Sequence, residues 1–144
     1  MSRRRVVVTG LGLISPTGND VRTGWQNVRD GVSGISIVDS FDTTGFSTTI
    51  GGVIKDFDIT KYMPAKEARK SDNFMHYGIA ACDEAFQDSG LEVSDNNAHR
   101  FGVIMGSGIG GISTIEQNYE KYRTGGPRRI SPFFVPGSIV NMVS

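Results

Sequence analysis

Twice in this chain a short apolar run stops abruptly at glycine. Val6-Val7-Val8-Thr9 enters Gly10-Leu11-Gly12, and Phe101-Gly102-Val103-Ile104-Met105 enters Gly106-Ser107-Gly108-Ile109-Gly110-Gly111. Each run is too short for a helix and suits a buried strand that turns sharply at its end. The segment from about Ser71 to Ser89 lies between them and sorts by helical period into two arcs. Phe74, Met75, Gly78, Ile79, Ala81, Cys82, Ala85 and Phe86 fill an apolar arc. Asp72, Asn73, His76, Asp83, Glu84, Gln87 and Asp88 fill a polar one. Strands alternating with amphipathic helices predict an α/β layered architecture.

Other elements follow from local signals. Asp20 caps a helix carrying Val21, Trp25 and Val28, which Asp30-Gly31 stops. Ile35 to Val38 is a short strand, and 41–54 holds a further strand pair or an extended arm. Asp58 to Met63 forms a short helix. A helix from about Ser113 to Arg123 ends at Gly125-Gly126-Pro127, and another starts near Gly137. Glycine makes up 19 of the 144 residues, against a usual share of roughly 7%. Set beside apolar runs, this excess speaks for tight turns and close backbone approach.

Charge excludes some partners. There are 15 basic and 15 acidic residues, so net charge points to neither nucleic acid nor membrane. No run approaches the roughly 20 apolar residues of a membrane span. The start, Met1-Ser2-Arg3-Arg4-Arg5, is basic, but Thr9, Gly10 and Gly12 break the apolar run before a signal-peptide core forms. One cysteine excludes an intrachain disulfide framework and fits a reducing compartment; a cytoplasmic setting is the simplest.

Candidate reactive groups are few. Cys82 falls mid-helix on the apolar arc, away from the helix N-terminus or basic neighbour that activates a thiol, so it reads as a small buried hydrophobe. His76, four residues after Asp72, reads as half of an exposed pair. His99 follows a polar loop. Neither histidine has metal-ligand spacing with the cysteine. Gly106, Gly108 and Gly111 spell G-x-G-x-x-G, but position 126, where an acidic residue would be wanted, is Gly. After Gly10 and Gly12, Pro16 and Gly18 delay the helix that would face a phosphate. A dinucleotide-binding domain therefore stands only as an alternative. Two local basic groups remain. Lys61, Lys66, Arg69 and Lys70 are opposed by Glu67; Lys121, Arg123, Arg128 and Arg129 are opposed by Glu120. Such groups are either solvated faces or a dock for an acidic or phosphate-bearing protein.

Five strings occur in an order that resembles the β-ketoacyl-acyl-carrier-protein synthases. They are Arg4-Arg5-Val6-Val7-Val8-Thr9-Gly10-Leu11-Gly12, Ser33-Gly34-Ile35, Arg69-Lys70-Ser71-Asp72, Gly106-Ser107-Gly108-Ile109-Gly110-Gly111 and Gly126-Pro127-Arg128-Arg129-Ile130-Ser131-Pro132-Phe133-Phe134-Val135-Pro136. The last two resemble the elongating, type II members. The resemblance implies a thiolase-like αβαβα fold, here an incomplete amino-terminal half, and a homodimeric parent enzyme without a cofactor. It implies decarboxylative Claisen condensation of acyl groups with malonyl-acyl-carrier protein in fatty acid elongation. It gives Lys66, Arg69, Lys70, Arg128 and Arg129 the docking of the acidic carrier protein. Ile109 matches a gate of the acyl pocket, and Phe134 an aromatic that reaches toward the partner's pocket. It places the nucleophilic cysteine and two histidines beyond the Phe133-Phe134-Val135-Pro136 string, so residues 1–144 are expected to carry no catalytic residue and to be inactive alone. A non-catalytic carrier-binding module is the alternative from a different class.

Overall fold

The computed structural model describes residues 3–144; Met1 and Ser2 lie outside the described residues. The elements in chain order are helix α1 (Val21–Arg29), strands β1 (Ile35–Ile37) and β2 (Ile50–Gly52), helix α2 (Ala65–Ala68), helix α3 (Asn73–Ser89), helix α4 (Ile112–Gly125) and helix α5 (Phe134–Ser138). Short 3-10 turns occupy Ile59–Lys61, Ala98–Arg100, Pro127–Arg129 and Val140–Val143. The chain divides into two compact units, and the boundary falls within α3. Among the described residues no helix is long and apolar enough to cross a membrane.

The first unit comprises the chain up to Phe57 together with Ala81–Leu91. As the sequence predicts, the Asp20 side chain caps α1 by accepting from the Thr23 N–H at 2.7 Å. β1 and β2 pair antiparallel with Ile37 opposite Ile50. The polar arc of α3 does more than face water. Its Glu84 carboxylate accepts from the N–H groups of Leu13 at 2.9 Å and Val21 at 2.8 Å, while Asp88 accepts from Leu11 N–H at 2.9 Å. Val21 opens α1, so Glu84 satisfies a donor that no α1 carbonyl can reach. The glycines in this segment let it lie against α3: a β-carbon at Gly12 would overlap the Ala81 carbonyl.

The second unit comprises Asp58–Ala80 and Glu92–Ser144. Its buried side chains are Ala68, Met75 and Ala80, with polar Asp72, His76 and Asn118 among them. The α4 cap residue, Gly111, has no side chain to offer. Asp72 substitutes, accepting from the Thr114 N–H at 2.6 Å. Gly111 N–H in turn donates to Ser138 O at 3.1 Å, which joins the start of α4 to α5.

Four expectations are corrected. Val6–Thr9 and Phe101–Met105 are not strands, because neither has a ladder partner among the described residues. Their side chains are open, Val6 at 88% and Ile104 at 95%. Cys82 is exposed rather than buried, as is Phe86 one turn further along the same arc of α3. His76 is buried rather than exposed, and Asp72 pairs with Thr114 rather than with His76. Trp25 and Val28 of α1 are also exposed, and Gly24 is the buried residue of that helix.

Candidate functional site

The second unit carries the basic residues singled out in the sequence, and local packing fixes where they stand. His76 does this for the first group. Its Nε2 lies 3.0 Å from both the Ala68 carbonyl and the Ser71 hydroxyl. A carbonyl only accepts, so Nε2 carries the ring proton. The imidazole thereby pins the end of α2 to the first turns of α3, and Arg69 and Lys70 lie between its two partners. Lys70 then reaches Glu67 at 2.7 Å and sits 5.5 Å from the centre of the Phe133 ring.

Asn118, only 5% exposed, fixes the other wall. Its amide nitrogen donates to Thr114 O at 2.8 Å and its oxygen accepts from Ser131 N–H at 2.8 Å. Asp72 from one side and Asn118 from the other thus tie three segments together: 69–73, α4 and 131–133. The result is a polar hollow of about 150 Å³ lined by Arg69, Lys70, Thr114, Gln117, Lys121 and Ser131, among others. A second hollow of about 230 Å³ is lined by Lys121, Thr124, Gly125 and Arg129.

Tyr77 lies near this unit's buried carboxylate. Burial, and then the Asp72 charge, push its phenol above the usual value, so it stays protonated and neutral. No group of three or more His, Cys, Asp or Glu residues that could hold a metal ion occurs among the described residues.

Of the docking candidates, Arg69 and Lys70 line the first hollow and Arg129 the second, while Lys66 and Arg128 are exposed and line neither. Ile109 is 66% exposed in the loop before α4. Phe134 is the half-buried first residue of α5. Neither borders the hollows. Arg123, grouped with the second basic cluster, is drawn to Glu120 at 3.2 Å. The sequence places Asp72 and His76 in an exposed pair and does not single out Asn118, whereas all three are buried. Each is a polar residue at helical spacing, which reads as a solvated face until its distant partner is known. For Asp72 alone there is a local signal, the missing cap: a glycine just before α4 implies that an acceptor must come from elsewhere.

Residues 3–144 match the family model described as "Beta-ketoacyl synthase, N-terminal domain". The chain is 54% identical over 144 residues to the 3-oxoacyl-(acyl-carrier-protein) synthase 2 of Vibrio harveyi, covering 100% of this chain and 35% of that protein. It is 46% identical over 141 residues to the protein of the same name from Staphylococcus aureus strain N315, covering 98% of this chain and 34% of that one. It therefore spans about a third of the length of these curated relatives. Among solved structures it resembles a ketosynthase bound to a hexaketide in complex with its type II polyketide acyl-carrier protein. That match has a TM-score of 0.77 and 30% identity, covering 98% of this chain and 37% of that one. The ishigamide ketosynthase/chain length factor matches with a TM-score of 0.80 and 26% identity, covering 99% and 36%. The expected thiolase-like ketosynthase fold is thus met at the level of the whole chain, although among the described residues only the β1–β2 hairpin forms a sheet. The dinucleotide-binding alternative gives way: Gly10 and Gly12 pack on α3 and the family is a different one.

Proposed function

Because this chain belongs to the β-ketoacyl synthase family, as its N-terminal domain, we propose that the whole protein is an elongating 3-oxoacyl-acyl-carrier-protein synthase. It condenses an enzyme-held acyl group with malonyl-carrier protein. Loss of carbon dioxide from the malonyl group leaves the electron pair that attacks the acyl thioester carbonyl, and the enzyme thiolate departs. Residues 1–144 contribute carrier docking through Lys66, Arg69, Lys70, Arg128 and Arg129, and acyl-pocket wall through Ile109 and Phe134. The nucleophile is not among them. Cys82 lies in the interior of α3, far from a helix N-terminus that would favour its thiolate. The protein works as a cytoplasmic homodimer.

The observation that carries this reading is the gathering of Arg69, Lys70 and Lys121 around one polar hollow of a ketosynthase domain. A similar ketosynthase, 30% identical, has been solved in complex with its acyl-carrier protein. The cations stand on segments braced by Asp72, His76 and Asn118, which suits recognition of an acidic protein surface.

Steady-state condensation by the full-length protein tests the proposal. Charge reversal at Lys66, Arg69 and Arg129 together should raise the KM for acyl-carrier protein while leaving turnover of carrier-free thioesters. Equal KM in the variant and the parent would remove the docking role. The isolated 144 residues should yield no condensation product; measurable turnover by them would place a nucleophile in this chain.

A further inference from the structure

The Asp30-Gly31 pair that stops α1 carries a chemistry the condensation reaction does not use. It is the one Asp-Gly pair in the sequence, which has no Asn-Gly pair. A glycine after aspartate leaves its backbone nitrogen unshielded, because no side chain stands beside it. That nitrogen can attack the aspartate's own Cγ. The new N–Cγ bond closes a five-membered succinimide, and one carboxyl oxygen leaves as water with the amide proton and a proton from solvent. Water then opens the ring and the proton is returned. Where water adds at the former backbone carbonyl, the C–N bond there breaks and the chain runs on through the side chain as isoaspartate. One water leaves and one enters, so the mass is unchanged.

Asp30 and Gly31 are both exposed, so water reaches them. The end of α1 opposes ring closure in three ways. Gly31, at a φ of 71°, donates its N–H to Val28 O at 3.2 Å, and Val32 donates to Asn27 O at 2.8 Å. This is the Schellman arrangement, and it turns the attacking nitrogen back into the helix. The Asp30 ψ of 2° must rotate before the Gly31 nitrogen can come round to the side chain. The carboxylate is also held on the helix surface. Gln26 Nε2 donates to one oxygen at 2.6 Å and Arg29 Nε to the other at 3.2 Å.

We propose that Asp30-Gly31 is an isoaspartate-forming site whose rate is set by the C-terminal cap of α1, with Gln26 as the residue that restrains the carboxylate. Isomerisation lengthens the backbone by one carbon between the cap and Gly31, which draws Val32 away from Asn27. The Asn27 side chain also holds Thr17 O at 2.6 Å, so the change loosens the approach to α1 as well as its end.

The test incubates the full-length protein at neutral pH, folded and in urea. Isoaspartate is counted by enzymatic carboxyl methylation and located by peptide mapping. Formation at position 30 should be about tenfold slower in the folded protein, because closure waits on local opening of the helix end. Gln26→Ala should accelerate it about twofold in the folded protein, the size expected for one i,i+4 side-chain bond, and should change nothing in urea. Alanine is the better helix former, so that acceleration cannot come from a weakened helix. Asp30→Glu, whose longer side chain would have to close a larger ring, should abolish the signal at this position. Equal rates in the folded protein and in urea would overturn the restraint. An unchanged rate in folded Gln26→Ala, or the same acceleration in urea, would remove Gln26 from it. Absence of isoaspartate at position 30 in urea would overturn the site itself.

Discussion

The carboxylate of Asp72 accepts the N–H of Thr114 at 2.6 Å across 42 positions of sequence and caps a helix whose own cap residue, Gly111, cannot. Asp72 is only 6% exposed, so the bond is shielded from water. A negative charge at a helix N-terminus also meets the positive end of the helix dipole. Asp72→Ala should cost about 1–2 kcal/mol, as for loss of a helix cap and of a buried acceptor. Asp72→Asn, which keeps an acceptor, should cost less. Chemical denaturation of the full-length protein, with hydrogen exchange at Thr114, distinguishes the two; equal losses would show that charge alone matters.

His76 makes a related bond with the opposite polarity, donating to Ala68 O. His76→Leu would remove the imidazole bond, leaving the Ala68 carbonyl to the Ser71 hydroxyl at 3.2 Å and the Ser71 N–H at 3.3 Å, and should destabilise by roughly 0.5–1.5 kcal/mol. His76→Gln, with an amide donor of similar reach, should recover much of the loss. If both variants melt alike, the ring serves as filler rather than as a donor.

Gly12 has no room for a side chain, because the Ala81 carbonyl stands where its β-carbon would go. Backbone on both sides prevents relief by a simple side-chain rotation. Gly12→Ala should therefore destabilise by about 1–3 kcal/mol. Substituting Gly106, where nothing stands within 4 Å of the added carbon, should do much less. The pair can be ranked by urea midpoint, and the reverse order would contradict the packing argument.

Asp20 titrates below its ordinary 3.8, chiefly because the Thr23 backbone N–H bonds its charged form. Depression of a carboxyl pKa by folding contributes stability that is fully present above the unfolded value of about 3.9 and is lost as pH falls through the folded one. Amide exchange at Thr23 should accelerate over that acid window. The carboxyl carbon of Asp20 should show an NMR midpoint below 3.8; a midpoint above it would mean the cap is not formed.

The open side chains of Val6, Val7, Val8, Val103 and Ile104 predict how residues 1–144 behave in isolation. Apolar surface of this kind drives association. The isolated chain should bind a hydrophobic dye and form oligomers. A monomer that melts in one sharp, cooperative transition without dye binding would contradict this.

Much of the local structure was legible in the sequence. The Asp20 cap, the end of α4 at its glycines, and the extent of α3 depend on neighbours a turn away, so spacing alone reveals them. The five ordered strings carried the family. What spacing cannot reveal is the distant partner of a polar side chain. Glu84 and His76 both lie on the polar arc of α3, yet Glu84 binds the backbone of Leu13 and Val21, and His76 is buried against Ala68. The strand pattern at Val6–Thr9 and Phe101–Met105 is likewise only a propensity, because a ladder needs a second strand to supply its hydrogen bonds. Lys121 was visible in the sequence as one charge in a basic group. Only the folding of 69–73 and 131–133 against α4 set it between Arg69 and Arg129. Helical period determines which residues share a face, but burial and pairing belong to whatever the tertiary structure lays on that face.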